Sequence, residues 1–247
     1  VIRFRRMLHR LLDPVGSLPN HLRAWRVLRD LPDGEYRAQV PVPYVSQFAT
    51  PALIHDYIHA RLHGRDDPAW ESFGAPDVET YTFWAHRACA IACLKMAIDG
   101  FASASPRSLW ALVDQGLQIG GYTTYTQSGV FLDEGWYYPA LVTLAESHGL
   151  EPRGLSYISP WNLCSLIRDG WLIAAAVTPD LGEYGPLQRY DGHFALVFGF
   201  TWARGRLQSV LIHNPSGRYP ELQAGAVIPA ERFARAFAYR GLALRPK

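Results

Sequence analysis

Apolar and polar positions follow two regimes along the chain. In the first half, spacings of three and four dominate, the mark of helices that bury one face. Beyond residue 170 the apolar residues gather into short runs that read as strands: Trp171 to Thr178, His193 to Thr201, Leu207 to Ile212, Gly225 to Ile228 and Tyr239 to Leu244. Pro229 to Phe237 is a helical insert between the last two. In the first half, Phe4, Met7, Leu8, Leu11 and Leu12 recur at helical spacing among arginines, and Pro32-Asp-Gly34 makes a turn. The prolines of Val40-Pro-Val-Pro-Tyr-Val45 exclude a central strand. A helix is predicted from Pro51 to His63, a loop over Gly64 to Pro68 and an irregular connection from Gly74 to Thr80. Trp84 to Asp99 is apolar nearly all round, with Gly100 placed as its C-cap, and reads as a buried central helix. Ser105 to Val113, Tyr138 to His148 (ended by Gly149) and Asn162 to Arg168 complete the helices. Between the first two lies a glycine- and aromatic-rich segment, Gly120 to Trp136, which reads as a substrate-facing loop. Pro179 to Tyr190 reads as a mobile flap beside the strand that starts at His193.

The pattern predicts an α+β chain with a helical lobe and an antiparallel sheet lobe, in one domain over 1–247. Residues 1–39 form a basic helical extension, 40–169 the helical lobe and 170–247 the sheet lobe. Composition narrows the function classes. With 49% hydrophobic and 19% charged residues the chain has ample material for a core, and its net charge of +2 does not point to nucleic acid. Cys89, Cys93 and Cys164 cannot all pair, so free thiols in a reducing compartment are expected. The longest apolar run, Trp171 to Val177, falls short of the roughly 20 residues a membrane span needs. The first residues lack the apolar stretch and cleavage site of a secretory signal, so a cytoplasmic location is expected. The charge is uneven: residues 1–30 carry seven arginines against Asp13 and Asp30, net +5. Two readings fit that segment, a docking face and a solvated amphipathic helix packed on its own domain.

The candidate chemistry centres on Arg87-Ala-Cys-Ala-Ile-Ala-Cys-Leu-Lys-Met96. A thiol in the first turn of a helix meets the positive end of the dipole and unpaired backbone N–H groups, which favour thiolate and can hold an oxyanion. Cys89 is therefore the candidate nucleophile, and Cys93, one turn deeper, a core residue. Asp191-Gly-His-Phe-Ala-Leu-Val-Phe-Gly-Phe200 places His193 at the head of an apolar strand, where a base can project into a cleft. Val210-Leu-Ile-His-Asn-Pro215 is a following strand ending in an Asn-Pro turn, so Asn214 can orient His193 if the two strands are neighbours.

The order Tyr44-Val-Ser-Gln47, the Cys89 segment, Gly192-His-Phe-Ala-Leu-Val-Phe-Gly-Phe200 and His213-Asn-Pro215 resembles the papain-like cysteine peptidases that remove double-glycine leaders from bacteriocin precursors. The resemblance spans residues 40 to 216. It implies a papain-like fold, Cys89 as nucleophile, His193 as base, Asn214 as orienter and Gln47 as the oxyanion glutamine. The family usually has Asp-Cys-Gly where this chain has Ala88-Cys89-Ala90, places its glutamine nearer the cysteine, and more often uses aspartate where Asn214 stands; papain itself uses asparagine.

The function so implied is cleavage of a peptide or precursor peptide through a thioester acyl-enzyme. The same triad also suits an acyltransferase or peptide ligase, or a domain that binds a leader without cutting it. Trp84, Tyr122, Tyr125, Trp136 and Gly192 are the candidate substrate-binding residues. No cofactor or metal is called for. His55, His59 and His63 fall on one predicted helix face, but Asp56 stands where a zinc peptidase has glutamate, and a solvated or capping face accounts for them.

Overall fold

A computed structural model describes residues 2–101, 108–127 and 130–247. Helices α1 (Ile2–Gly16) and α2 (Leu18–Leu28) lead into a short strand, β1 (Gly34–Arg37). Next come α3 (Ile54–Ile58), α4 (Val78–Ala85), α5 (Cys89–Phe101), α6 (Leu109–Gln118), the hairpin β2 (Tyr122–Gln127) and β3 (Val130–Trp136), and α7 (Tyr138–Ser147). The rest of the chain alternates: β4 (Leu150–Ser156), α8 (Pro160–Arg168), β5 (Leu172–Val177), β6 (His193–Ala203), β7 (Arg206–His213), β8 (Ala226–Pro229), α9 (Ala230–Ala236) and β9 (Phe237–Pro246). One sheet runs β4-β9-β5-β6-β7-β8 with β1 added to β6, every pairing antiparallel. The α+β class is as the pattern predicts. Among the described residues no helix is long and apolar enough to cross a membrane.

The sheet is covered on both faces, which is why its central strands read as unbroken apolar runs. Leu172, Ala174, Leu196, Phe198 and Leu211 join the core that holds α5, α6 and α7. The alternate residues Ile173, Ala175, Val177, Ala195 and Val197 pack with Ala24 and Leu28 of α2, Leu163 and Ile167 of α8 and Phe233 of α9. A register shift between Val197 and Gly199 reverses the parity of β6, so Phe200 and Trp202 end on the same side as Val197. This lets one long strand present His193 at one end and receive β1 near the other.

Several expectations need correction. The helix read over 84–99 is two helices, broken at His86 to Ala88, and Gly100 lies within α5. The helix read over 51–63 is a 3-10 turn (Pro51–Leu53) followed by the short α3, because the chain turns left-handed at Ala60, φ 57°. The substrate-facing loop is the β2–β3 hairpin. Strands β1 and β4 were not anticipated. The segment read as a mobile flap is bolted down. Its Asp180 carboxylate accepts from the Gln188 and Arg189 N–H groups at 2.8 and 2.7 Å, while Arg232 donates to the Asp180 and Gly185 carbonyls at 3.2 and 3.1 Å. Ser105 and Pro106, read as a helix start, lie outside the described residues; Ser108 caps α6 through the Ala111 N–H.

Candidate active site

The break between α4 and α5 creates the candidate site. Arg87 N–H returns to the Trp84 carbonyl at 2.8 Å, which closes α4, and the Ala92 N–H to Ala88 carbonyl bond, also 2.8 Å, opens α5. In between, the Arg87 carbonyl accepts from the Trp136 indole N–H at 2.8 Å, and the Arg87 guanidinium donates to Asp133 at 2.7 Å and to the Phe83 carbonyl at 2.8 Å. Tyr122 donates to the same Asp133 carboxylate. The β2–β3 hairpin thus grips the residues just before Cys89. Cys89 begins α5 and is partly exposed, whereas Cys93 and Cys164 are buried.

Strand β6 reaches the same place. Phe194, the residue after His193, lines the same cleft as Cys89. His193 is 4% exposed, and its Nε2 lies 2.8 Å from Asn214 Oδ1. The Ser216 backbone N–H also donates to Asn214 Oδ1, at 3.2 Å. Two donors on that atom identify it as the amide oxygen and assign the His193 proton to Nε2, which leaves Nδ1 as the proton acceptor. Ser216 Oγ lies 3.3 Å from the same Nε2. Asn214, fully buried, is fixed by its own N–H to the Gln223 carbonyl at 2.9 Å, and the Tyr44 hydroxyl donates to its carbonyl at 3.2 Å. The turn carrying it needs Gly217, where a Cβ would sit 2.1 Å from the Leu222 carbonyl oxygen.

Gln47 is 3% exposed and crosses the sequence gap that separates it from Cys89. Its backbone N–H donates to the Pro215 carbonyl at 3.0 Å, and its Nε2 to the Ala85 carbonyl at 2.7 Å, while its Oε1 has no hydrogen-bond partner. Gln47 therefore ties the Asn214 turn to the end of α4, four residues before Cys89. A cleft of about 450 Å³ opens at Cys89, lined by Tyr122, Trp136, Tyr138, Gly192 and Phe194 among others. Of the candidate substrate residues, Tyr122, Trp136 and Gly192 face it. Trp84 stands behind, packed edge-on against Tyr122 at 5.0 Å and tilted against Trp136 at 6.0 Å. The Tyr125 side chain lies outside the described residues, although its backbone pairs with Leu132.

Burial decides the charge state of the pair. It pushes the Cys89 thiol up to about 11, although the N–H groups of Phe194, Ala90 and Cys89 pull it down. Burial holds His193 down, to about 4, against the Asn214 bond that raises it; the positive charges of Arg218 and Arg189 lower it further. Desolvation outweighs the thiolate-favouring helix terminus, and it biases both groups toward their neutral forms. Iodoacetamide is expected to modify Cys89 before the buried Cys93 and Cys164, slowly near neutrality. The rate should rise about tenfold per pH unit toward pH 11, as thiolate accumulates. With burial holding His193 down to about 4, base-dependent turnover should keep its acid limb there. Mass-spectrometric labelling rates and a pH–rate profile check both; a limb near pH 6.5 would contradict the buried neutral imidazole.

Sequence reasoning missed the residues that brace the site. Asp191 takes left-handed backbone, φ 61°, and pairs with Arg240. Arg240 also lies 3.8 Å from Asp13 of α1, and the Tyr190 hydroxyl donates to Asp13 at 2.8 Å. Buried Arg218 pairs with Glu183 at 3.2 Å and donates to the Ser216 and Pro179 carbonyls at 3.1 and 2.8 Å. No local pattern marks these long-range pairs, apart from the Asp191-Gly192 step before His193. His55 and His59 pack ring to ring at 4.5 Å, but α3 ends before His63, which caps a 3-10 turn and pairs with Glu79, while His55 pairs with Asp56 and His59 with Glu183. Among the described residues no group of three or more His, Cys, Asp or Glu side chains is placed to hold a metal.

No protein-family model matches the sequence, and no curated protein matches it. Solved structures are similar at low identity. The peptidase domain of Streptococcus ComA, a bifunctional ABC transporter of a quorum-sensing pathway, is 16% identical, with 66% of this chain and 93% of that one covered and a TM-score of 0.43. A putative C39-like peptidase from Bacillus anthracis is 15% identical over 65% and 90%, TM-score 0.47. A double-glycine-motif protease from an AMS/PCAT transporter, in complex with the leader peptide, is 18% identical over 86% and 95%, TM-score 0.45.

Proposed function

We propose that this chain is a cysteine peptidase that cleaves a peptide or precursor peptide, with Cys89 as nucleophile, His193 as base and Asn214 as its orienter. The observation that carries the reading is the buried 2.8 Å bond from His193 Nε2 to Asn214 Oδ1, on a strand whose flanking residues Gly192 and Phe194 line the same cleft as Cys89. That arrangement turns the basic Nδ1 into the one ring nitrogen free to take a proton. As the sulfur attacks the scissile carbonyl carbon, the thiol proton passes to Nδ1 and the carbonyl oxygen gains the negative charge. The N–H groups at the start of α5 are suited to that oxyanion, and Gln47 Nε2 has a second hydrogen beyond the one given to Ala85. The imidazolium then protonates the leaving amine. Water, giving its proton to Nδ1, resolves the thioester and returns the thiol.

The motif order of the sequence, which resembles the double-glycine leader peptidases, supports a precursor peptide as substrate. Aromatic Tyr122 and Trp136 suit an extended chain laid across the cleft. Incubation with a library of synthetic precursor peptides, read by mass spectrometry, tests the reading. Two fragments whose masses sum to substrate plus water are expected, together with an acyl adduct on Cys89 after acid quenching. Transfer of the acyl group to an added amine without hydrolysis would make the chain a transferase, and binding with no adduct would make it a recognition domain.

A further inference from the structure

We propose that the outward face of α1 and α2 is a docking surface for an anionic lipid bilayer. The inward face of this helix pair is already satisfied by the body of the protein. Asp13, Ser17, Ala24 and Leu28 are buried, the Asn20 amide donates to the Tyr157 carbonyl at 2.8 Å, and the Asn20 carbonyl accepts from Asn162 at 2.9 Å. The outward face is not. Leu8, Leu11, Leu12 and Val15 recur at i, i+3, i+4 and i+7, so they form one stripe along α1, and all are exposed, Leu11 by 65%. Leu18, Leu22 and Trp25 continue it at i, i+4 and i+7 along α2. Eight of the thirteen large exposed apolar side chains, among those described, fall between residues 8 and 27. That concentration is a patch, whereas scattered single residues would need no account.

Charge selects the occupant. Arg10, Arg23 and Arg26 are exposed on the same two helices and Arg29 just past the end of α2, and residues 1–30 carry net +5 while the whole chain carries +2. The remaining residues are therefore net negative, and the net positive balance falls on the segment that bears the apolar stripe. Leucine and tryptophan flanked by arginine is the composition of a helix lying in a membrane interface, where apolar side chains enter the acyl boundary and guanidinium groups meet lipid phosphates. A second copy is disfavoured as occupant, since pairing two such faces would bring their arginines together across the contact.

The test is co-sedimentation of the purified chain with phosphatidylglycerol–phosphatidylcholine vesicles and with phosphatidylcholine vesicles, at low and high salt. Binding is expected only to the anionic vesicles, and release by salt. Arg23→Gln with Arg26→Gln should weaken partitioning roughly 30-fold, and Leu11→Gln with Val15→Gln should weaken it at least as much, with unchanged thermal midpoints in both. These side chains are solvent-exposed, so folding is not at stake. No binding at low salt would overturn the proposal, as would variants that bind like the parent. Equilibrium sedimentation showing self-association that the Leu11/Val15 variant abolishes, without vesicle binding, would assign the face to a second copy instead.

Discussion

Cys89→Ala is expected to reduce peptide turnover by roughly 10⁴-fold or more, since removal of a covalent nucleophile leaves only binding and oxyanion contacts to act. Cys93→Ala separates that chemical loss from a structural one. Cys93 is wholly buried in the core between α5 and the sheet, and burial holds its thiol well above its ordinary pKa. Its truncation should cost about 1–2 kcal/mol through a small cavity and leave the rate per folded molecule unchanged. Cys89 is partly exposed, so its truncation should move the thermal midpoint little. Product masses and melting curves on the two variants check the pair of statements. Turnover surviving in both would dismiss the peptidase reading, and loss in Cys93→Ala alone would move the nucleophile one turn along α5.

The second large effect concerns the base and its orienter. His193→Ala removes the proposed base and should slow turnover about 100-fold or more. Asn214→Ala should do less, because the amide fixes tautomer and ring angle without exchanging a proton. An orienter acts only through the base, so the double variant should be hardly slower than His193→Ala alone. Multiplying defects would show that Asn214 acts elsewhere and reduce the site to a Cys-His dyad. Asn214→Asp carries its own signature. A buried carboxylate keeps the Oδ1 acceptor for His193 Nε2 and the Ser216 N–H, and its charge favours the imidazolium, so the acid limb should move above pH 4.

What the sequence revealed of this site follows from where information is stored. His193 and Asn214 each stand at the end of a strand, and those ends are marked locally by Gly192 and by the Asn-Pro turn. β5, β6, β7 and β9 were legible because burial on both faces leaves few polar residues in them. β4 was not: Leu150-Glu-Pro-Arg-Gly-Leu-Ser156 has neither alternation nor an apolar run, and it is a strand because it pairs with β9 at the sheet margin, where Pro152 is tolerated. β1, four residues long and mostly exposed, likewise exists through its partner β6. The break before Cys89 was hidden for the opposite reason. His86-Arg-Ala88 holds no glycine or proline to mark a stop, and the Arg87 carbonyl there is taken by a tertiary bond from Trp136, forty-nine residues later.

The Asp13 carboxylate sets a rule for dissecting this protein. It belongs to α1, yet it takes the Tyr190 hydroxyl and lies near Arg240, whose other carboxylate, Asp191, stands two residues before His193. Deleting the first thirty-nine residues would strip β1 from β6, leave Tyr190 without its acceptor and leave Arg240 one carboxylate of two. Any loss of turnover in the shortened chain would then report a charge imbalance at the strand that carries His193, whatever the helices do on their outer side. The smallest working unit is bounded by this electrostatic wiring and not by the reach of the sequence motifs. The outer face has to be interrogated by point substitution, with residue 13 left in place.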